Sequence, residues 1–225
     1  MNAQIELIIF DCDGVLIDSE LISARSLISA LEDRGVQVNL DYVAEHFLGR
    51  SYPVVLAQIR GEFGVELDDT FEEEYRKRLL ERFRSELRAM PGIRTLLSSL
   101  EIPYCVATSS SPLRVRASLE IVGLTDLMED RVFTASEVAR GKPAPDLFLH
   151  AAARMGVTPD RCLVIEDSRN GIRAARAAGM RVWWFHGGSH ITEADYARQD
   201  ALGADMGFGD FGAFSRLQTG LQTGG

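Results

Sequence analysis

The stretch IELIIFDCDG, residues 5–14, determines more about this chain than any other. Its first six residues are nearly all apolar and rich in β-branched side chains, which is typical of a strand buried on both faces of a sheet. The run ends abruptly in two aspartates and a glycine. Asp11 and Asp13 would repel each other and lose hydration at the end of a buried strand. The pair therefore marks either a simple acidic turn or a site for a cation and a phosphate ester.

The pattern of apolar residues changes from strand to helix directly after this turn. Apolar side chains recur at helical spacing from Leu21, and helical patterns continue through residue 87. After the Pro91-Gly92 pair, short apolar runs alternate with helical stretches. The five predicted strands are residues 5–10, 104–108, 131–134, 162–166 and 181–185. Such alternation predicts a parallel sheet that helices cover on both faces.

The predicted fold class is therefore α/β, with a Rossmann-like parallel sheet core and a small α-helical cap domain. We expect the core to comprise residues 1–17 and 88–225, and the cap to comprise residues 18–87, inserted after the first strand. Ligands of open α/β sheets bind at the carboxyl edge of the strands, where this insertion also begins. The cap is thus expected to act as a lid over a site at that edge.

Composition and charge exclude several classes of function. The chain has 225 residues and a formal net charge of −9, so it lacks the basic surface of a nucleic-acid-binding protein. No apolar run reaches the roughly 18 residues that a membrane span needs, and the N-terminus does not resemble a signal peptide. Cys12, Cys105 and Cys162 have no metal-binding spacing, which indicates thiols in a reduced core. We expect a cytoplasmic monomer or weak dimer that binds neither nucleic acid nor membrane.

A segment rich in small hydroxyl side chains ends the second predicted strand. Thr108, Ser109 and Ser110 stand just before a helix with proline at its start. Hydroxyls and free backbone N–H groups at a helix N-terminus bind phosphate, but the same residues commonly act as ordinary N-caps. The segment alone is compatible with both interpretations.

A lysine and a second acidic pair follow later in the chain. Lys142 lies in a proline-rich loop and is one of only two lysines beside 22 arginines, which favours a position where a compact ammonium is required. Glu166 and Asp167 end the fourth predicted strand. They would lie close to Asp11 if the first and fourth strands are neighbours, and together these carboxylates would suit one Mg²⁺.

The joint occurrence of the four segments, in this order and spacing, resembles the haloacid dehalogenase superfamily, most of whose members are phosphatases. The resemblance covers nearly the whole chain. Pro91-Gly92, Gly179-Met180 and Gly187-Gly188-Ser189-His190 are similar to the β-phosphoglucomutase-like branch. The overall likeness is to bacterial sugar-phosphate phosphatases, including the 6-phosphogluconate type. It implies a magnesium-dependent phosphatase with an aspartyl-phosphate intermediate.

The resemblance implies three catalytic residues. Asp11 would be the nucleophile and also a magnesium ligand. Asp13 would protonate the leaving alcohol and then activate water, with its backbone carbonyl on the metal. Lys142 would offset the negative charge of Asp11 and of the phosphate.

The resemblance also implies binding residues. Thr108, Ser109 and Ser110 would hold the phosphoryl oxygens. Asp167 would be a further magnesium ligand, and Glu166 would reach the metal directly or through water.

Two residues favour hydrolysis of a phosphate ester over related reactions. Haloacid dehalogenases lack the second aspartate, because a halide leaves without a proton, so Asp13 favours phosphate esters. The β-phosphoglucomutases carry a histidine five positions after the last aspartate of the first motif. Counted from Asp18, that position is Ser23 here. A sugar-phosphate mutase is therefore the alternative rather than the first choice.

The substrate is expected to be a small phosphorylated metabolite, a sugar or sugar-acid phosphate. Gly49-Arg50-Ser51 lies in a cap loop, where relatives place a specificity element. The guanidinium of Arg50 suits a carboxylate or a second anionic group, although a surface arginine has the same appearance.

Two alternatives belong to other classes of protein. A phospho-aspartate signalling module also places a phosphorylated aspartate near a lysine on a parallel sheet, but such receivers are shorter and lack a cap. A non-catalytic binding protein would not need the complete motif set. Surface or loop positions are expected for the four histidines, His46, His150, His186 and His190.

Overall fold

The computed structural model describes residues 4–47, 50, 52–65, 67–128, 130–197 and 203–217. The helices in this part of the chain are α1 Glu20–Glu32, α2 Leu40–His46, α3 Tyr52–Phe63, α4 Asp69–Glu86, α5 Ile93–Ser99, α6 Pro112–Ile121, α7 Asp146–Met155, α8 Arg169–Ala177, α9 Glu193–Ala197 and α10 Phe211–Leu217. The strands are β1 Leu7–Phe10, β2 Tyr104–Thr108, β3 Val132–Thr134, β4 Cys162–Glu166, β5 Arg181–Phe185 and β6 Met206–Phe208. Short 3-10 helices span Thr125–Leu127, Ala135–Glu137 and Pro159–Arg161. None of these helices is both long and apolar enough to cross a membrane.

The strands form one parallel sheet of six strands in the order β3-β2-β1-β4-β5-β6. β1 lies inside this sheet, because Phe10 is in register with Val106 of β2 on one side and with Ile165 of β4 on the other. Every residue of β1 is buried, as the apolar run predicts. The predicted α/β class is confirmed, and the first and fourth predicted strands are neighbours, which meets the condition for Asp11 to lie close to Glu166 and Asp167.

The sheet has one strand that the sequence pattern does not indicate. All five predicted strands are present, but β6 adds a sixth at the edge next to β5. Its three residues, Met206, Gly207 and Phe208, are too few to establish a strand pattern in the sequence, and only Phe208 is buried. The helices α9 and α10 were likewise not predicted; each is at most seven residues long.

Two apolar clusters among the described residues cover the two faces of the sheet. Alternate side chains of β1 belong to different clusters: Ile8 and Phe10 lie in one, Leu7 and Ile9 in the other. The cluster around Phe10 also contains Phe83 of α4 and apolar side chains of α1, α2 and α3. These four helices, which we call the cap helices, thus pack onto the same apolar mass as one face of the sheet.

The chain enters and leaves the cap helices at adjacent positions. The Asp18 N–H donates to the Arg88 carbonyl at 3.0 Å, and the Met90 N–H donates to the Leu16 carbonyl at 2.9 Å. All four cap helices fall within the predicted insertion. The predicted division into two domains, with its boundaries at residues 17/18 and 87/88, stays a prediction.

Candidate active site

The polar segments singled out in the sequence meet at the carboxyl edge of the sheet. Asp11 follows β1, Thr108 ends β2 and Glu166 ends β4, and these three strands are neighbours. Lys142, from the loop before α7, reaches the same place. Six of the predicted site residues are buried there: Asp11, Asp13, Thr108, Lys142, Glu166 and Asp167.

Lys142 joins the first acidic segment to the last. Its ammonium donates to Asp11 Oδ1 at 2.7 Å and to Glu166 Oε1 at 2.8 Å, and the side chain is only 1% exposed. Burial lowers the pKa of Lys142, but the two carboxylates outweigh burial and raise it above its ordinary value. The side chain therefore carries a fixed positive charge beside Asp11.

Three carboxylates form a buried acidic cluster around this lysine. Oxygens of Asp11, Glu166 and Asp167 all lie within 4.8 Å of one another. Burial raises the pKa of Asp11 well above its ordinary value although Lys142 opposes the shift, and burial together with the charge of Glu166 raises that of Asp167. One ammonium does not balance three carboxylates, and oxygen donors of this kind suit Mg²⁺. The cluster thus fits the predicted metal. The side chain of Asp13 lies outside it, so the carbonyl of Asp13 as a ligand stays a prediction.

Glycine at two positions allows the acidic cluster to lie against the backbone. Gly14 has a φ of +81°, and a Cβ added to it would overlap Oδ2 of Asp167. A Cβ added to Gly171, in the first turn of α8, would overlap the carboxylate of Glu166. The second oxygen of Glu166 accepts a hydrogen bond from the Ser168 N–H at 2.7 Å. The carboxylates are therefore confined on the backbone side.

Asp13 is held by donors on both of its carboxylate oxygens. Oδ1 accepts from Ser19 Oγ and from Arg114 Nη2, each at 2.6 Å, and Oδ2 accepts from Ser110 Oγ at 2.6 Å. Thr108 Oγ1 is more distant, at 3.5 Å from Oδ2. Burial raises the pKa of Asp13, but the Arg114 charge and the hydroxyl donors outweigh burial and lower it. Asp13 is consequently a carboxylate in this arrangement.

Consecutive residues of the hydroxyl segment at the end of β2 make different hydrogen bonds. Ser111 is the N-cap of α6 and accepts from the Arg114 N–H at 3.4 Å. Thr108 Oγ1 accepts from the Ser110 N–H at 3.0 Å. Ser109 Oγ is buried and has no hydrogen-bond partner among the described residues. Capping thus leaves the hydroxyl of Ser109 free of other partners among the described residues, which supports the predicted contact with phosphate.

A cavity of about 240 Å³ lies between this site and the cap helices. Asp11 and Ser109 line it from the core side, and Arg50 lines it from the cap side. The guanidinium of Arg50 donates to Gln58 Oε1 at 2.8 Å. The flanking residues Gly49 and Ser51 lie outside the described part of the chain. Arg50 is therefore placed to meet a ligand, and its role in binding stays a prediction.

Two residues of α1 form part of the cavity wall next to Asp13. Ser23, at the position where mutases carry histidine, donates to the Ser19 carbonyl at 2.8 Å and accepts from Arg114 at 3.0 Å. Glu20 is 9% exposed, and burial together with the negative charges of Asp13 and Asp167 raises its pKa to about 8. The hydroxyl of Ser23 is thus already engaged within the protein.

His190 lies in a loop, as expected, but it is not a surface residue. Its side chain is 8% exposed, and Nε2 lies 3.0 Å from Asp167 Oδ2. Its Nδ1 is buried and has no partner among the described residues. The expected loop position is confirmed, but the contact of His190 with one of the predicted metal ligands has no signal in the sequence.

Three residues that contact the site were not identified as such from the sequence. Ser19 directly follows the first motif, and this position beside Asp13 and Asp18 is a sequence signal for a hydroxyl that donates to a carboxylate. His190 belongs to a segment similar to relatives, but nothing in the pattern pairs it with Asp167. Arg114 lies in a predicted helix and is one of the 22 arginines of the chain, so no sequence signal distinguishes it.

The fold and the site together define a class of protein: a Rossmann-like α/β enzyme with an aspartate, a lysine and an acidic pair at the carboxyl edge of its sheet. The family described as haloacid dehalogenase-like hydrolase matches residues 5–179. The chain therefore belongs to this family, which confirms the predicted resemblance.

Individual relatives span nearly the same length. The 6-phosphogluconate phosphatase of Escherichia coli K12 is 32% identical over 189 residues, which cover 84% of this chain and 86% of the relative. A haloacid dehalogenase-like protein of Agrobacterium tumefaciens has a solved structure with a TM-score of 0.80 and 35% identity, covering 96% of this chain and 99% of the other. A hydrolase of the same family from Deinococcus radiodurans, solved with bound phosphate and sodium, has a TM-score of 0.74 and 32% identity. The match covers 98% of this chain and 99% of the other. The family match and the phosphatase relative confirm the predicted enzyme class, a phosphoric monoester hydrolase.

Proposed function

We propose that this protein is a magnesium-dependent phosphatase that hydrolyses a small phosphorylated sugar or sugar acid through an aspartyl-phosphate on Asp11. The observation that carries the proposal is the ammonium of Lys142 between Asp11 and Glu166, with Asp167 beside them. An ion pair that only stabilises the fold needs one carboxylate for its one ammonium. Three buried carboxylates around one ammonium cost free energy of folding unless a further cation or a ligand balances their charge. Phosphoryl transfer uses this combination of positioned charges.

In the first step, Asp11 is the nucleophile. One of its carboxylate oxygens attacks phosphorus, the bond between phosphorus and the ester oxygen breaks, and the bonding pair stays on the ester oxygen. The negative charge of the bound phosphate favours a protonated Asp13 in the substrate complex, and Asp13 gives this proton to the ester oxygen, so the product leaves as an alcohol. Asp13 is then a carboxylate, the form that its lowered pKa favours in the absence of a bound phosphate.

In the second step, water releases the phosphate. The Asp13 carboxylate accepts a proton from water as the water oxygen attacks phosphorus, and the bond from phosphorus to Asp11 breaks. Lys142 offsets the charge of Asp11 throughout, and Thr108, Ser109 and Ser110 hold the phosphoryl oxygens. Magnesium, held by Asp11, Glu166 and Asp167, would supply further positive charge to the phosphoryl group.

A sugar or sugar-acid phosphate is supported by the relatives and by the cavity. The name of the Escherichia coli relative gives 6-phosphogluconate as its substrate. The cavity of about 240 Å³ accommodates a small metabolite, and Arg50 lines it. A guanidinium binds a carboxylate through paired hydrogen bonds, so we expect a preference for an acidic sugar phosphate.

The two alternatives predict different products. A sugar-phosphate mutase would return an isomeric sugar phosphate, and the engaged hydroxyl of Ser23 in place of a histidine speaks against it. A phospho-aspartate signalling module would accumulate phosphorylated Asp11 without turnover. The cap helices and the cavity that they close over Asp11 favour a substrate rather than a signalling partner.

The test is release of inorganic phosphate from a panel of sugar phosphates, with Mg²⁺ and after its removal by EDTA. We expect hydrolysis that requires Mg²⁺ and disappears in Asp11→Asn, a nearly isosteric change. Asp160→Asn, the same change at an exposed position, should keep wild-type rates. Activity in Asp11→Asn would contradict the proposal, as would an isomeric product or a stable phosphoprotein that does not turn over.

The role of Arg50 has a separate test. Arg50→Ala should raise the KM for 6-phosphogluconate about tenfold and leave that for glucose 6-phosphate nearly unchanged, because only the first carries a carboxylate. Equal rates on neutral and acidic sugar phosphates in both proteins would refute this role.

The expected assembly and location complete the proposal. A monomer or weak dimer that acts on a small metabolite in the cytoplasm needs no partner chain. Light scattering after size-exclusion chromatography would measure the mass directly, and a stable larger oligomer would contradict this expectation.

A further inference from the structure

Arg114 is a charged side chain that the hydrolysis scheme does not use, although it contacts the proposed proton donor. It extends from α6, and its Nη2 lies 2.6 Å from Asp13 Oδ1. The Arg114 side chain is 25% exposed and that of Asp13 is 11% exposed. A guanidinium keeps its proton in proteins, so this cation is permanent. The ion pair is therefore part of the environment in which Asp13 would transfer a proton.

The same guanidinium also contacts two of the cap helices. Its Nη2 donates to Ser23 Oγ of α1 at 3.0 Å, and its central carbon lies 5.5 Å from the centroid of the Phe83 ring of α4. Ser23 and Phe83 are both buried. Arg114 thus joins a helix of the core, the carboxylate of Asp13 and the cap helices through one planar group.

The hydrogen bonds of Arg114 satisfy acceptors on its neighbours but do not satisfy all of its own donors. Nη2 makes two hydrogen bonds, whereas Nε is buried and has no partner among the described residues. A buried donor without a partner costs free energy, so stability alone does not explain this side chain. Of the groups that donate to Asp13, Arg114 is the charged one; Ser19 and Ser110 are hydroxyls. The position of Asp13 therefore depends strongly on Arg114.

We propose that Arg114 is a positioning residue that holds Asp13 where it can protonate the ester oxygen of the substrate, and that it couples this placement to the position of the cap helices. The inference rests on the proposed function, because it requires Asp13 to be the proton donor. In that step the bond between phosphorus and the ester oxygen breaks, the electron pair stays on the oxygen, and the proton of Asp13 moves to it. Arg114 itself neither gives nor takes a proton.

This role makes the rate depend on the alcohol that leaves. A sugar alkoxide is a poor leaving group and needs the proton, whereas p-nitrophenolate leaves without one. The ratio kcat/KM covers the steps up to departure of the first product. Loss of proton transfer should therefore lower kcat/KM for a sugar phosphate much more than for p-nitrophenyl phosphate. A merely structural defect should lower both together.

The experiment compares these two kcat/KM values in the full chain with Mg²⁺, using the sugar phosphate that the wild type hydrolyses fastest in the panel. Arg114→Gln should lower the ratio of the sugar phosphate value to the p-nitrophenyl phosphate value about 10- to 100-fold. Arg114→Lys keeps the charge and should lower it less. Arg116→Gln, at an exposed position two residues further along α6, should leave it unchanged. Each ratio comes from one enzyme sample, so a partly unfolded variant does not distort it.

Two further variants separate the possible outcomes. Asp13→Asn should lower the ratio at least as much as Arg114→Gln. A lowered ratio in Asp13→Asn with a wild-type ratio in Arg114→Gln would overturn the inference alone. A wild-type ratio in Asp13→Asn would refute the proton donor of the proposed function and the inference with it. Ser23→Ala should shift the ratio in the same direction by a smaller factor, and no shift would refute the coupling to the cap helices.

Discussion

At the scale of single residues, the acidic cluster of Asp11, Glu166 and Asp167 is confined by glycines and contacts the ammonium of Lys142. Gly14 and Gly171 leave the space that Asp167 and Glu166 occupy. Lys142 fits between Asp11 and Glu166 with its ammonium 4.9 Å from the centroid of the Phe148 ring. Substitutions at such positions change the shape of the site even when they preserve charge or polarity.

Gly14→Ala tests the confinement of Asp167. The added Cβ would overlap Oδ2 of Asp167, so we expect Mg²⁺ binding, measured by titration calorimetry, to weaken at least about tenfold. The left-handed backbone alone would lower the free energy of unfolding by about 1–2 kcal/mol. Gly35→Ala is the matched control, because Gly35 has a φ of +78° and no atom within 4 Å of an added Cβ. Gly35→Ala should therefore lose stability but keep Mg²⁺ affinity; equal affinity in both variants would contradict the confinement.

Lys142→Arg tests whether charge alone suffices at the centre of the site. A guanidinium is broader than an ammonium and presents its donors in a planar fork, so it should not bridge Asp11 and Glu166 without displacing them. We expect kcat to fall about 100-fold or more although the charge is kept. Arg116→Lys, the reverse change at an exposed position, should have no such effect. Wild-type kcat in Lys142→Arg would show that the shape of the cation does not matter.

At the scale of elements, α6 carries more of the site than its sequence suggests. Ser111 caps its first turn and Pro112 occupies its start, and Arg114 follows on the same turn. The helix begins directly after the hydroxyl segment that ends β2. Its N-terminal turn therefore determines where both the hydroxyls and Arg114 lie.

Ser111→Ala tests this dependence on the helix start. Loss of the cap should lower the free energy of unfolding in urea by about 1 kcal/mol and loosen the first turn of α6. Because Arg114 lies in that turn, kcat/KM for a sugar phosphate should fall as well. Ser111→Asn keeps a capping side chain and should restore both quantities. Loss of stability without loss of kcat/KM would show that the turn does not position Arg114.

At the scale of the whole molecule, the cap helices and one face of the sheet share a continuous apolar cluster. The cluster runs from Phe10 of β1 to Phe71 and Phe83 of α4. The chain segments that lead into and out of the cap helices are hydrogen-bonded to each other through Asp18 and Arg88 and through Met90 and Leu16. Loss of either part would expose apolar surface of the other.

This shared cluster predicts a single unfolding transition. Trp183 and Trp184 lie on β5 and report on the sheet by fluorescence, whereas circular dichroism at 222 nm reports mainly on helices. The two signals should give the same midpoint and the same slope in urea. Loss of circular dichroism at lower urea than loss of fluorescence would show that the cap helices unfold on their own, as an independent domain would.

The sequence by itself determined the class of fold and most of the candidate site. An apolar run that ends in Asp11 and Asp13 indicates a buried strand with a polar carboxyl end through local patterns alone. Lys142 and the pair Glu166 and Asp167 could be assigned to the same edge, because all parallel strands place their carboxyl ends on one side. The sequence also shows directly that position 23, where mutases carry a histidine, is a serine.

Only the tertiary structure decided which residues surround Asp13 and Asp167. Arg114 and His190 reach these carboxylates through the packing of α6 and of the loop after β5, and neither position has a local pattern. The short edge strand β6 likewise depends on β5 as its partner, because three residues with a glycine among them have little strand preference of their own. The physical reason is the same in each case: periodicity and motifs record interactions between residues near in sequence, whereas these contacts join segments that only the folded sheet and cap helices bring together.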